Sequence, residues 1–243
     1  MRIGNDVVDL SDPETREGAL HRRFDIRVFS SKERALIRSS ADAHRARWAF
    51  WAAKESAYKL AKKLDSSVIF SPVQFKLTLR RNGSWVVDHQ DKPIPVLFAH
   101  SRRCVHAIAV SLSSGSYCGP AIYRSKEIGN GAMRRLVKTP SGEVFMFGRA
   151  RADSKTKTNP ESLSRYARRQ AADAIGLLLG ISPGEIAIFN RAGIPRARFR
   201  DEGLPVDLSL SHHGGYVAYA VCYSIPISST SKTNIPRGAP GLP

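Results

Sequence analysis

Cysteine is scarce in this 243-residue chain, and the three present, Cys104, Cys118 and Cys222, form no CxxC pair. An odd and scattered set excludes a disulfide framework or a cysteine zinc site and predicts a reducing compartment. Long apolar runs are missing too. None approaches the ~18 residues that would cross a bilayer as a helix, so no membrane-spanning segment is expected. The opening stretch Met1 to Asp6 lacks the apolar core of a secretory leader, which predicts a cytoplasmic protein. Acidic residues are also few: 21 Asp and Glu stand against 38 Lys and Arg, a formal charge of +17. The partner should therefore be polyanionic: nucleic acid, a phosphorylated cofactor, an acidic protein or an anionic surface.

The basic excess is spread through the chain. Residues 1–120 hold 20 basic and 12 acidic side chains, and the remainder 18 and 9. It is densest over 124–169, with 12 against 4. A nucleic-acid reading rests on this charge alone, since no RNP, zinc, KH or helix-turn-helix signature accompanies it.

The segment Arg47 to Leu60 has no Pro or Gly and is rich in Ala, Lys and Glu, so it predicts a helix, capped near Ser39, Ser40 or Asp42 and ending about Leu64. At ~100° per residue, Phe50, Ala53, Ala57, Leu60 and Leu64 share one side, while Trp48, Trp51, Glu55 and Lys59 share the other. Glu55 and Lys59 alone would be an ordinary i,i+4 ion pair. Ser30 and Glu33 fit a capping box opening a shorter helix. Ile3 to Leu10 reads as a first strand. Phe75 to Arg80, Trp85 to Val87, Val96 to Phe98 and Val105 to Val110 read as strands of an antiparallel sheet.

After a Ser/Gly-rich connection at 111–122, Val144 to Phe147 predicts a strand, and Asn159-Pro160 starts a helix that Gly180 ends. Ile186 to Phe189 is a strand, and Val206 to Ser211 with Tyr216 to Tyr223 forms a hairpin around Gly214-Gly215. The closing strands Val105 to Val110 and Tyr216 to Val221 rhyme, which predicts two related units. The expected class is α+β: two α+β subdomains, 1–120 and 121–223, in a pseudo-twofold arrangement. Residues 224–243 read as a disordered tail.

Three patterns then come together. Gly4-Asn5-Asp6-Val7-Val8-Asp9, Trp51-Ala52-Ala53-Lys54-Glu55-Ser56-Ala57-Tyr58-Lys59 and Ser209-Leu210-Ser211-His212 resemble the motifs of the 4′-phosphopantetheinyl transferase superfamily. The order of the motifs resembles the two-half members with the halves swapped, the first half being similar to a protomer of the small holo-acyl-carrier-protein synthases. The resemblance implies transfer of the 4′-phosphopantetheine arm of coenzyme A to a serine of an apo acyl or peptidyl carrier protein. It also implies one composite site between the halves.

In that reading Asp6 and Glu55 hold Mg²⁺, Glu55 is the general base, and Lys59 assists the leaving phosphate. Lys54, Ser211 and His212 contact phosphates, and the cationic Arg149, Arg151, Lys155 and Lys157 are candidates for the 3′-phosphate. A solvated basic loop is the equal alternative for that last group. Asp9 falls on the other face of the strand and reads as a surface or hinge acid. His89, His106 and His213 read as surface or strand residues, and Trp48 and Trp51 as packing. A two-half chain is expected to work as a monomer. A relative that binds coenzyme A or a carrier without transfer is the other open reading.

Overall fold

The computed structural model describes residues 1–111, 122–128, 132–139, 143–153, 156 and 159–223. Cys118, Lys155, Lys157 and the expected tail at 224–243 lie outside the described residues. Strand β1 (Arg2–Asp9) leads to helices α1 (Phe24–Val28), α2 (Ser31–Ser39) and α3 (Ala43–Leu64). Strands β2 (Lys76–Leu79), β3 (Trp85–His89), β4 (Lys92–Phe98) and β5 (Cys104–Ser111) follow. The second part runs β6 (Ile122–Ile128), β7 (Ala132–Lys138), β8 (Val144–Arg151) and helix α4 (Pro160–Leu179). It closes with β9 (Ile186–Arg191), β10 (Ile194–Phe199), β11 (Glu202–Gly203), β12 (Val206–His213) and β13 (Tyr216–Tyr223).

The capping signals act as the sequence implies. Ser30 and Glu33 form a reciprocal capping box on α2, and Asp42 caps α3. Asn159 caps α4, and Gly180 ends it in the left-handed region.

Two five-stranded antiparallel sheets result, ordered β1-β5-β4-β3-β2 and β12-β13-β8-β7-β6, with β9 to β11 forming a small third sheet. The mixture of helices and antiparallel sheets is the expected α+β class. Each large sheet contains the same unit. A strand enters a long helix (β1 to α3, β8 to α4), and the chain returns as a hairpin whose last strand pairs with the first (β5 on β1, β13 on β8). Strands β6 and β7 were not expected. They pair Ile122 with Lys138 through Ile128 with Ala132 and extend the second sheet beyond β8.

The two sheets face each other. Ile3, Ile108 and Val110 from the first meet Phe145, Phe147, Ala220 and Cys222 from the second. Helix α3 covers the outer face of the first sheet and α4 that of the second, through Ala171, Ala174 and Ile175 against Leu208, Tyr219 and Val221. The order of layers is therefore helix, sheet, sheet, helix. The rhyme between closing strands is real in composition but slips by one residue. Ala107 and Ala109 face α3, whereas Ala218 and Ala220 face the opposite sheet. A slip of one exchanges every face of a strand.

Gly4 shows why β1 begins as it does. A Cβ there would lie 2.1 Å from the Ser56 carbonyl oxygen and 2.9 Å from the Leu60 nitrogen of α3. Only glycine lets the helix backbone close on the strand. Gly4→Ala is expected to cost about 3 kcal/mol or more, at the top of the range for overpacked cores, because the obstacle is backbone. Urea unfolding checks this, and a loss under about 1 kcal/mol would contradict the packing.

Candidate active site

Strand alternation sends Gly4, Asp6 and Val8 toward α3, and Ile3, Asn5 and Val7 toward the second sheet. The residue two beyond the close approach at Gly4 is therefore delivered beside the helix. Lys59 Nζ lies 2.8 Å from Asp6 Oδ1 and 3.1 Å from the Asn5 carbonyl oxygen. Glu55, one turn earlier, opens onto the same cleft of ≈ 340 Å³. Asp6, Val8, Trp51, Glu55 and Lys59 line it from the first unit, and Leu210, Ser211, His212 and His213 from β12.

The electrostatics of the cleft are those of crowded acids. Burial, and then the neighbouring Asp6 charge, push the Glu55 carboxyl up to about 7, with Lys59 opposing. His212 is held below the ordinary histidine value by burial and by the positive charges of Lys59 and Arg168. Ser211 Oγ donates to Asp6 Oδ1 at 2.7 Å. Residues from opposite ends of the chain thus meet at one carboxylate.

Residues 2–111 match the family model described as the 4′-phosphopantetheinyl transferase superfamily. This segment belongs to that superfamily. The matched residues span β1 to β5 and supply Asp6, Glu55 and Lys59. No curated protein matches the chain.

Several residues that the superfamily resemblance suggested sit elsewhere. Lys54 is fully buried, 2.8 Å from Glu33 Oε1, and donates to the carbonyl oxygens of Pro72 and Phe75. It is an internal cation and cannot reach a phosphate. Arg149 is also buried, donating to the carbonyl oxygens of Ala99 and His100. It ties β8 to the turn after β4 from a buried position. Arg151 is exposed at the end of β8. Lys155 lies outside the described residues.

Asp9 faces away from Asp6, as alternation predicts, but it is not a surface acid. It is 1% exposed and accepts from Ser11 and from the Gly215 amide. His213 accepts the Asp9 amide through Nδ1. His106 and His89 are strand residues buried in the core, His89 stacked on Phe75 at 4.0 Å. Trp48 is buried and donates to the Thr15 carbonyl, while Trp51 packs on Phe24 and Phe70 and also lines the cleft.

Arg168 was missed. It projects from α4 close enough to His212 to depress it. Its signal was available: Leu163, Ala167, Ala171 and Ala174 mark the buried stripe of α4, and Arg168 flanks that stripe. The second unit has no equivalent of the acidic pair. Aligned on the outward glycines Gly4 and Gly148, Asp6 corresponds to Ala150, which packs with Leu163 and Ala167 of α4.

Proposed function

We propose that this chain transfers the 4′-phosphopantetheine arm of coenzyme A to a serine hydroxyl of an apo acyl or peptidyl carrier protein, at the cleft between units 1–120 and 121–223. The observation that carries this reading is the convergence of Asp6, Glu55 and Lys59 with Ser211 and His212 on one cleft.

A divalent cation fits the donor set. Two carboxylates close enough for Asp6 to raise Glu55 ask for positive charge between them. Among the described residues no group of three His, Cys, Asp or Glu could hold a metal. Two hard oxygen donors, with the remaining positions left to phosphate and water, suit Mg²⁺ better than an all-protein cage. Asp6 and Glu55 would hold it, and when bound it neutralises charge on the pyrophosphate.

The chain's own residues then have distinct tasks. Glu55, poised near neutrality, takes the proton of the carrier serine as its oxygen bonds to the phosphorus carrying the pantetheine arm. The bond to adenosine 3′,5′-bisphosphate breaks, and the Lys59 ammonium stabilises the departing phosphate. His212 lines the cleft and offers a donor to a further phosphate, with the Arg168 charge near it.

The carrier's acidic surface has a matching face beside the cleft. On and before α1, Ile26 is 63% exposed among the exposed Arg22, Arg23 and Arg27. Phe24 of the same helix packs on Trp51 of the cleft wall. Basic residues around an apolar contact favour an acidic partner and speed its encounter.

No helix of the described residues is long and apolar enough to cross a membrane. We propose a cytoplasmic enzyme active as a single chain. The test is incubation with coenzyme A, Mg²⁺ and a panel of apo carriers, read by intact mass. A carrier gaining the phosphopantetheine arm supports the reading, and a panel left wholly unmodified rejects it.

A further inference from the structure

Strand β1 is an edge strand, and the amides on its free edge are Ile3, Asn5, Val7 and Asp9. Among the described residues no strand pairs with them. They donate instead to side chains of β12: Ile3 to Asp207 Oδ2 at 2.8 Å and Asn5 to Ser209 Oγ at 2.9 Å. Val7 donates to Ser211 Oγ at 3.3 Å and Asp9 to His213 Nδ1 at 3.2 Å. Alternate residues of one strand thus serve alternate amides of another. Lys63 reinforces the seam, donating to the Ile3 carbonyl, Asp207 and the Leu208 carbonyl. Each such bond contributes about 1 kcal/mol net, and losing one leaves a buried amide unsatisfied.

Ser209 and Ser211 are alike in this seam, each accepting one β1 amide. They differ in where the hydroxyl proton goes. A serine hydroxyl has one proton to donate, and that of Ser211 is spent on Asp6 Oδ1 at 2.7 Å. Lys59 Nζ holds the same oxygen at 2.8 Å. Two donors on Oδ1 fix the rotamer of the carboxylate and leave Oδ2 as the oxygen these contacts do not use. The side chain of His212, one residue on, points to the opposite face of β12 by alternation.

We propose that Ser211 is a positioning residue: it orients the Asp6 carboxylate for the cation from across the seam and contacts no phosphate itself. This rests on the reading above, in which Asp6 holds the metal. Partners that orient a ligating side chain typically matter by about 10- to 100-fold in metal affinity.

The experiment compares Ser211→Ala, Ser211→Thr and Ser209→Ala in the full chain. Mn²⁺ binding is followed by electron paramagnetic resonance, coenzyme A binding by calorimetry, and stability by thermal melting. Both alanine variants should melt lower, since each strands one β1 amide. Only Ser211→Ala should weaken Mn²⁺, by about 10- to 100-fold, with coenzyme A affinity, measured without divalent cation, within about twofold of the parent. Ser211→Thr keeps the hydroxyl and should restore Mn²⁺ binding. If Ser211→Ala does not fold, Ser211→Cys, near in size but a weak donor, is read for the same loss.

Equal Mn²⁺ losses in Ser209→Ala and Ser211→Ala would reduce Ser211 to a seam residue and overturn the proposal. So would lost coenzyme A affinity at unchanged Mn²⁺ affinity, which would make Ser211 a phosphate ligand. The predicted Mn²⁺ pattern in a chain that modifies no carrier would uphold the positioning role and sink the transferase reading instead.

Discussion

Glu55→Gln is expected to lower transfer by about 10³-fold, within the range for removing a general base, while making the resting protein more stable above neutral pH. Glutamine matches the side chain in shape but accepts no proton. The stability gain follows from linkage. Burial and Asp6 raise the folded carboxyl from 4.5 to about 7. Between those values the folded chain keeps a proton that the unfolded chain has released. Stability is therefore fully present below the unfolded value and falls as pH rises through the folded one.

The amide carries no such dependence. The two melting curves should run together near pH 4.5 and separate up to about pH 7. Above that a gap of about 2 kcal/mol should persist without added cation, the full shift being discounted for the partial exposure of Glu55. Mg²⁺ should narrow the gap by binding only the parent. Melting temperatures that keep pace from pH 5 to 8, or activity within about tenfold of the parent, would remove Glu55 from its role.

A carboxylate made costly by its surroundings is a feature that the sequence could convey in part. Gly4 and Asp6 stand two apart on a strand, and Glu55 and Lys59 four apart on a helix, so the periods of the two elements already place each pair on one face. What no period supplies is the approach of the two faces, which depends on the Cβ-free crossing at Gly4. The role proposed for Ser211 draws on a feature visible in the sequence: neighbours on a strand face opposite ways, so Ser211 and His212 leave β12 on different faces. The run Asp207, Ser209, Ser211, His213 is polar at every second residue, the mark of a strand face that meets something polar. Its target, the bare edge of β1 more than two hundred residues away, is beyond local pattern.

Strands β6 and β7 escaped for a different reason. Their sequences, Ile122 to Ile128 and Ala132 to Lys138, carry charges among the apolar residues and show no clean period of 2. They are strands because they pair with each other and with β8. Pairing is tertiary information, and β propensity yields to it.

Lys54 offers the sharpest separation between a motif residue that serves the fold and one that serves chemistry. Lys54→Met is expected to destabilise the protein by about 3–5 kcal/mol, the usual consequence of removing one partner from a buried ion pair. The pair is closed on every side. Lys54 and Glu33 are 0% and 1% exposed, and Glu33 also accepts from the Ser30 and Leu77 amides. Burial lowers the Lys54 ammonium from its ordinary value while Glu33 restores part of that. Without the lysine, Glu33 keeps a charge that no solvent reaches.

Glu33→Gln in the same chain removes that charge and preserves an acceptor for the amides, so Lys54→Met/Glu33→Gln should recover a substantial share of the loss. A double-mutant cycle by urea unfolding measures it. Whatever fraction of Lys54→Met folds should bind coenzyme A as the parent does, because the ammonium lies beneath α3 among the carbonyls of Pro72 and Phe75 and away from the cleft. A variant of unchanged stability with weakened coenzyme A binding would return Lys54 to the phosphates. The adjacent Lys54 and Glu55 would then have to share one face of α3, which a helix turning ~100° per residue does not allow.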